Sequence, residues 1–247
     1  MLRVFDTEND TVEQTMQKDI NLLEELEAFE FPTLHCYAWK APSATFGFFI
    51  DPAKHFNLEK VKSYGLEIAR RPTGGGIVFH MWDFPFSFLL PLKHPLFSQD
   101  PLENYRSVNE VVRDVIRETF SLDMSPELIS KDFPSLSANC HNFCMARPTQ
   151  YDVVYKGVKI AGAAQRKKRD GFLHQGTISL MSPDMGFLRD VLLSEQMVLD
   201  AMANYTFAPL GAQCSLEVLQ TTKHALKKCL KIKIMEKFGC TTYTTSS

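Results

Sequence analysis

The chain has 247 residues, 45% of them hydrophobic and 23% charged, with a formal net charge of −2. That length holds one large domain or two small ones around a real core, and the near-balanced charge offers no field to draw in nucleic acid or an anionic membrane. No stretch approaches the roughly 20 apolar residues of a bilayer span, and the opening MLRVFDTENDTVEQTMQKDI is acidic and polar, unlike a signal peptide, so the expected compartment is the cytoplasm.

In chain order, Asn9 or Thr11 caps a helix that runs to about Phe29, with Leu22, Leu23, Leu26 and Phe29 near helical spacing. After Pro32, LHCYAW reads as a strand and TFGFFI as another. Asn57 begins a short helix that stops at Gly65. GLEIARR then leads into a glycine cluster, and IVFHMWDFPFSFLLPL is apolar and aromatic enough for one or two buried strands. A helix over 101–120 is marked by Asp100 as cap, Pro101 at the first position, Glu103 at the third, and a stripe of Val108, Val111, Val112, Ile116 and Phe120.

Residues 121–147 are loop-rich; a three-strand meander follows, YDVVY, VKIAGAAQ and FLHQGTISL, turning at Lys156-Gly157 and Asp170-Gly171. Helical patterns near 184–203 and 215–238 close the chain. The second carries Lys223, Lys227, Lys228, Lys231 and Lys233, either a solvated basic face or a docking face for an acidic partner. Strands first, with helices around them, predict an α+β domain. The six cysteines read as free thiols. Cys140, His141 and Cys144 lack the second ligand pair that zinc spacing needs, so no metal is expected.

Four segments carry chemistry. Gly74, Gly75 and Gly76 follow Arg70 and Arg71 and precede His80. Such a run suits either a tight hairpin or a backbone cradle whose N–H groups face an anion or carbonyl, with arginines to neutralise it. In KIAGAAQ, Lys159 sits among small residues that leave room for an extended ligand beside the backbone. There it can polarise an acyl carbonyl, or it is an edge-strand lysine that discourages aggregation. His174 is a general base or a hydrogen-bonded core residue. Cys144 is an inert small hydrophobe, or a nucleophile whose thiol pKa a nearby ammonium would lower.

In this order the segments resemble the lipoate-protein ligase, octanoyltransferase and biotin ligase superfamily, whose members look like RRxxGGGxVxH, KxxGxAxR or KxxGSAQ, and HHGT or QHGS. Here they stand as RRPTGGGIVFH, KIAGAAQRK and LHQGT, with Trp39, Pro42 and Gly47 matching an upstream W…P…G run; the likeness covers roughly residues 30–182. It implies a central, mostly antiparallel mixed sheet flanked by helices, and one catalytic domain over 1–247. Arg70, Arg71, Gly74, Gly75, Gly76, His80, Gly162 and His174 are then expected at the acyl group, with Lys159 catalytic.

CMARPTQYD resembles the cysteine-dependent octanoyltransferases, whose nucleophile lies in C-x-x-x-P-S-x-Y-(D/E); Cys144, Pro148, Thr149, Tyr151 and Asp152 fill that pattern, with Thr for Ser. Roughly 65 residues follow the LHQGT strand, enough for helices that finish the catalytic domain, whereas the lipoate ligases of this superfamily commonly need an accessory C-terminal domain for adenylation. The expected activity is transfer of an octanoyl or lipoyl group to a lysine of a lipoyl domain, through a Cys144 thioester and without a cofactor. Acyl-carrier protein, the glycine-cleavage H protein and 2-oxoacid dehydrogenase E2 are the implied partners. The alternatives are an ATP-dependent lipoate ligase needing Mg-ATP, and a non-catalytic binder of acyl or carrier protein. Three departures stand out: a third glycine where cysteine-type transferases often have GGR, Met81 where an acid commonly follows the histidine (Asp83 comes two places on), and no glutamine shortly after Gly47.

Overall fold

The computed structural model describes residues 1–120, 125–131, 148–193, 196–240 and 242–244. The main sheet has strands β1 (Leu2–Thr7), β2 (Thr33–Tyr37), β6 (Asp83–Pro91), β7 (Glu127–Leu128), β8 (Val153–Tyr155), β9 (Val158–Lys168), β10 (Gly171–Ser179) and β11 (Thr242–Thr244), in the order β11-β1-β2-β6-β10-β9-β8-β7. β1 runs parallel to both β2 and β11, and the remaining neighbours are antiparallel. A second sheet, in the order β4-β3-β5, joins β3 (Ser43–Phe46), β4 (Glu67–Arg70) and β5 (Ile77–Phe79). Helices α1 (Val12–Glu24), α2 (Leu58–Ser63), α3 (Pro101–Thr119), α4 (Met185–Val191), α5 (Gln196–Tyr205) and α6 (Leu216–Phe238) pack around them. This is the expected α+β architecture with a mostly antiparallel central sheet.

β6 and β10 are buried along their whole length, because both faces of the sheet are covered. On one face Phe84, Phe86, Phe88, Leu90 and Phe172 pack against Val108, Val112 and Ile116 of α3 and Leu230, Ile234 and Phe238 of α6. Each such side chain contributes about 1.5–3 kcal/mol on burial. On the other face Leu89 and Leu173 meet Leu22 and Leu23 of α1 and the nearby Leu26. The small sheet has its own core, in which Ala44, Phe46, Ile77 and Phe79 pack on Val61, Leu188, Val191, Leu199 and Met202. The helix ends follow from their caps: Thr11 and Gln14 form a capping box, Asp100 and Ser215 cap α3 and α6, and Gly239 turns left-handed after α6.

Four details differ from the sequence reading. β1 lies in the stretch read as polar and pairs with β2. The strand expected at TFGFFI begins at Ser43 and ends at Phe46, where Gly47 turns the chain. The helix expected over 184–203 is two helices, because Leu192 turns extended and bridges to Phe56. On the basic α6, Lys227 pairs with Asp6 and Glu8, Lys233 with Glu118 and Glu236, and Lys237 with Glu110, so part of that face is satisfied within the chain. Among the described residues no helix is long and apolar enough to cross a membrane.

Candidate active site

A cleft of about 440 Å³, counting the space that opens to solvent, lies between the two sheets. Thr45 and Val78 of the small sheet, with Arg71 and His80 flanking it, form one wall. Lys159, Gly162, Ala163 and Ala164 of β9 and Gln175, Gly176 and Thr177 of β10 form the other, closed by Met16 of α1 and Tyr37 of β2. Register explains the second wall: Gly162 is opposite Thr177 and Ala164 opposite Gln175, so small residues and short polar ones share one face.

The RPTGGG loop is held from within. Arg71 donates through Nε and Nη2 to the Gly74 carbonyl (3.2 and 3.0 Å), through Nη2 to that of Gly76 (2.7 Å), and through Nη1 to the carbonyl and hydroxyl of Thr45 (3.3 and 3.0 Å). The loop turns through a left-handed Gly75 (φ 82°) and presses on Gly47 so closely that a Cβ there would lie 1.9 Å from the Gly75 oxygen. Arg70, by contrast, points outward and donates to the carbonyls of Phe48 (2.5 Å) and Ile50 (2.9 Å). The two arginines expected to share an anion therefore hold different stretches of backbone; of the pair, Arg71 lines the cleft.

Lys159 is buried in the cleft wall, with its ammonium 2.7 Å from Oδ2 of the fully buried Asp152. Asp152 Oδ2 also accepts from the backbone N–H (2.7 Å) and hydroxyl (3.0 Å) of Thr149, and Oδ1 from the hydroxyl of Tyr105 (2.5 Å). Burial and the neighbouring Asp152 charge push the Tyr105 phenol well above its ordinary pKa, so it remains a donor. Tyr151, just before the aspartate, adopts a left-handed backbone (φ 67°), and its carbonyl accepts from Asn109 of α3 (2.9 Å). Gly162 makes the arrangement possible: a Cβ there would lie 2.4 Å from Cε and 2.5 Å from Nζ of Lys159, and 2.8 Å from Oδ1 of Asp152. The small-residue strand expected to admit a ligand thus first admits its own lysine.

His80 lines the cleft, bonded through Nε2 to the Thr45 hydroxyl (2.8 Å) and through Nδ1 to Asp83 (2.7 Å). His174 does not reach the cleft. Strand alternation turns it to the opposite face, stacked on Phe86 and beside Tyr105, with burial lowering its pKa to about 3. Its neighbour Gln175 faces the cleft instead, accepting from Thr73 (2.7 Å) and donating to Asp19 (2.6 Å). Cys144 lies outside the described residues. Sequence reasoning missed Tyr105, Asp19 and Gln175, whose partners are far away along the chain; Asp152 was visible only as the last position of the cysteine pattern. Among the described residues no group of three or more His, Cys, Asp or Glu side chains could hold a metal ion.

Residues 12–206 match the family described as Lipoyl protein ligase A/B catalytic domain. Octanoyltransferase LipM of Anoxybacillus flavithermus is 31% identical over 159 residues, covering 63% of this chain and 57% of that protein. LipM of Bacillus subtilis is 30% identical over 164 residues, 66% and 58% of the two. The chain thus spans less than two thirds of the curated relatives it matches. In fold it is similar to a lipoate-protein ligase A crystallised with ATP (TM-score 0.73, 19% identity, 99% of this chain and 89% of that one). It is also similar to a putative lipoate protein ligase from T. acidophilum with bound lipoic acid (TM-score 0.68, 20% identity, 98% and 88%).

Proposed function

Because this chain belongs to the lipoyl protein ligase A/B catalytic-domain family, we propose that it transfers an octanoyl or lipoyl group to a specific lysine of a lipoyl-domain protein through a thioester on Cys144. The Cys144 thiolate attacks the carbonyl carbon of a carrier-bound acyl thioester; the donor's C–S bond breaks, its electron pair stays on the donor sulfur, and that sulfur takes up the proton Cys144 released on forming its thiolate. The amine of the acceptor lysine then attacks the enzyme thioester, the amide forms, and the cysteine sulfur is released. The observation that carries this reading is Lys159: a buried ammonium in the wall of a largely apolar cleft, clamped by Asp152 and given its place by Gly162. A fixed positive charge in such surroundings favours both a thiolate and the oxyanion of the tetrahedral intermediate. One such donor is worth roughly 2.7–4 kcal/mol in other enzymes.

The named octanoyltransferases among its relatives support transfer over ligation. The reading needs no cofactor; Mg-ATP belongs to the ligase alternative. Its donors would be octanoyl-carrier protein or a lipoylated protein, its acceptors the glycine-cleavage H protein or a dehydrogenase E2, and its compartment the cytoplasm.

Intact-protein mass spectrometry tests it. With octanoyl-carrier protein and no ATP, the enzyme gains one octanoyl group, and Cys144→Ser gains none. Lipoylation of an acceptor domain only with lipoate and Mg-ATP, undiminished by that substitution, would make the protein a ligase. Carrier binding without transfer under either condition would leave a binder.

A further inference from the structure

A second cavity of about 390 Å³, counting the space that opens to solvent, adjoins the cleft and shares Val78 and Thr177 with it. Its walls are apolar at Phe79, Trp82 and Met202. Thr206, on the same lining, pairs with Lys159 in a backbone β-bridge, so the cavity adjoins the strand that carries the clamped lysine. Asp83 also lines it, with its side chain only 6% exposed. Oδ2 of Asp83 accepts from His80 Nδ1 and from the Thr177 hydroxyl, whereas Oδ1 is buried with no hydrogen-bond partner among the described residues.

The protons along this chain of contacts can be assigned. A guanidinium only donates, so the Thr45 hydroxyl accepts from Arg71 and keeps its own hydrogen to give to His80 Nε2, the arrangement in which every polar hydrogen here has an acceptor. The ring is left with its hydrogen on Nδ1, which it gives to Asp83. Asp83 thus ends the chain as an acceptor only, a carboxylate with one oxygen doubly bonded to donors and the other bare. A buried carboxylate oxygen without a donor is costly and draws one in. The group that fits an apolar passage ending at a single anionic oxygen is a primary ammonium on a short alkyl stem.

We infer that the second cavity receives the side chain of the acceptor lysine, with its ammonium on Oδ1 of Asp83. This rests on the transfer reading above and specifies its second half. On the way from ammonium to amide the nitrogen gives up two protons, one to Asp83 Oδ1 and one to the departing cysteine thiolate. The electron pair of the broken C–S bond stays on sulfur, and Asp83 returns its proton to solvent before the next turnover.

n-Butylamine reproduces the stem and charge of lysine. With octanoyl-loaded enzyme, formation of N-butyloctanamide should saturate with butylamine in the wild type. In Asp83→Asn it should lose saturation and fall about tenfold or more, the worth of a hydrogen bond to a charged group. Hydroxylamine, small and neutral at the same pH, should still discharge the thioester of the variant. Saturation at wild-type concentrations in Asp83→Asn, or equal loss toward both nucleophiles, overturns the assignment. Calorimetry on unloaded wild-type protein decides the matter even if the variant does not fold or the enzyme does not load. Binding of n-butylammonium but not n-butanol supports the cavity, and equal binding of both, or of neither, refutes it.

Discussion

At the scale of single residues, the catalytic proposal depends on one missing methyl group. Lys159 lies across the backbone of Gly162, and a Cβ there would collide with Cε and Nζ of the lysine and crowd Asp152 at 2.8 Å. Because the ion pair is buried and further bonded by Tyr105 and Thr149, the lysine has no equivalent position to retreat to without leaving the carboxylate unpaired. Gly162→Ala should therefore displace the ammonium, lowering turnover on the order of a hundredfold, the scale of losing one oxyanion donor. The same substitution should cost about 1–3 kcal/mol of stability from overpacking. Single-turnover kinetics beside a denaturant titration check both, and wild-type turnover in a destabilised variant would remove the lysine from the chemistry. The glycine and lysine were legible because both stand in one short motif. Their clamp was not, since Tyr105 sits 47 positions before Asp152 and no periodicity links a helix side chain to a loop carboxylate.

At the scale of elements, one carboxylate of α1 is bonded to three strands of the main sheet. Asp19 is fully buried and accepts from His35 Nδ1 (2.7 Å) on β2, Ser87 Oγ (2.5 Å) on β6 and Gln175 Nε2 (2.6 Å) on β10. Through Gln175 the network reaches Thr73 in the glycine-rich loop, so the helix that supplies Met16 to the cleft also steadies the opposite wall. Every partner presents a donor, so Asp19→Asn sets an amide N–H against donors already in place. Breaking a buried, multiply bonded charge this way should cost about 3–5 kcal/mol, read as a shift in urea midpoint at unchanged slope. A loss under 1 kcal/mol, about the worth of one ordinary hydrogen bond, would mean that the three donors re-pair with water. The element itself was readable from an Asn9 or Thr11 cap and its leucines, as was α3 from Asp100, Pro101 and its apolar stripe; α6 showed only as a helical pattern near 215–238. β1 was not, because Arg3 and Asp6 make LRVFDT look like solvent-facing chain, and only its pairing with β2 supplies the reason for it to be extended. A lone Asp on an amphipathic helix likewise gives no sign from sequence that three strands converge on it.

At the scale of the whole molecule, the main sheet separates two environments: the cleft on one side and the aromatic core under α3 and α6 on the other. Alternation along β10 assigns Gln175 and Thr177 to the first and His174 to the second, which is why a histidine beside a motif glycine serves the core. The Gln165 amide, with its oxygen toward the ring, accepts from His174 Nδ1–H (3.0 Å) and the Tyr105 N–H (3.2 Å), while the ring's Nε2 is buried with no hydrogen-bond partner among the described residues. The ring is therefore neutral when folded, with burial lowering its pKa from 6.5 to about 3. Above pH 6.5 neither the folded nor the unfolded chain binds a proton here, and the stability this neutral ring permits is fully present. As pH falls from 6.5 toward 3 the unfolded chain takes up a proton that the folded chain refuses. Stability is then lost at about 1.4 kcal/mol per pH unit, or about 2 kcal/mol by pH 5. Carboxylates titrate in the lower part of this window, so the test is a comparison. The unfolding free energies of wild type and His174→Gln should converge by about 2 kcal/mol between pH 7 and 5, because the glutamine variant lacks the titration. Curves that stay parallel would mean that the folded protein accepts a proton at His174, and that the core beneath the main sheet is less dry than its packing implies.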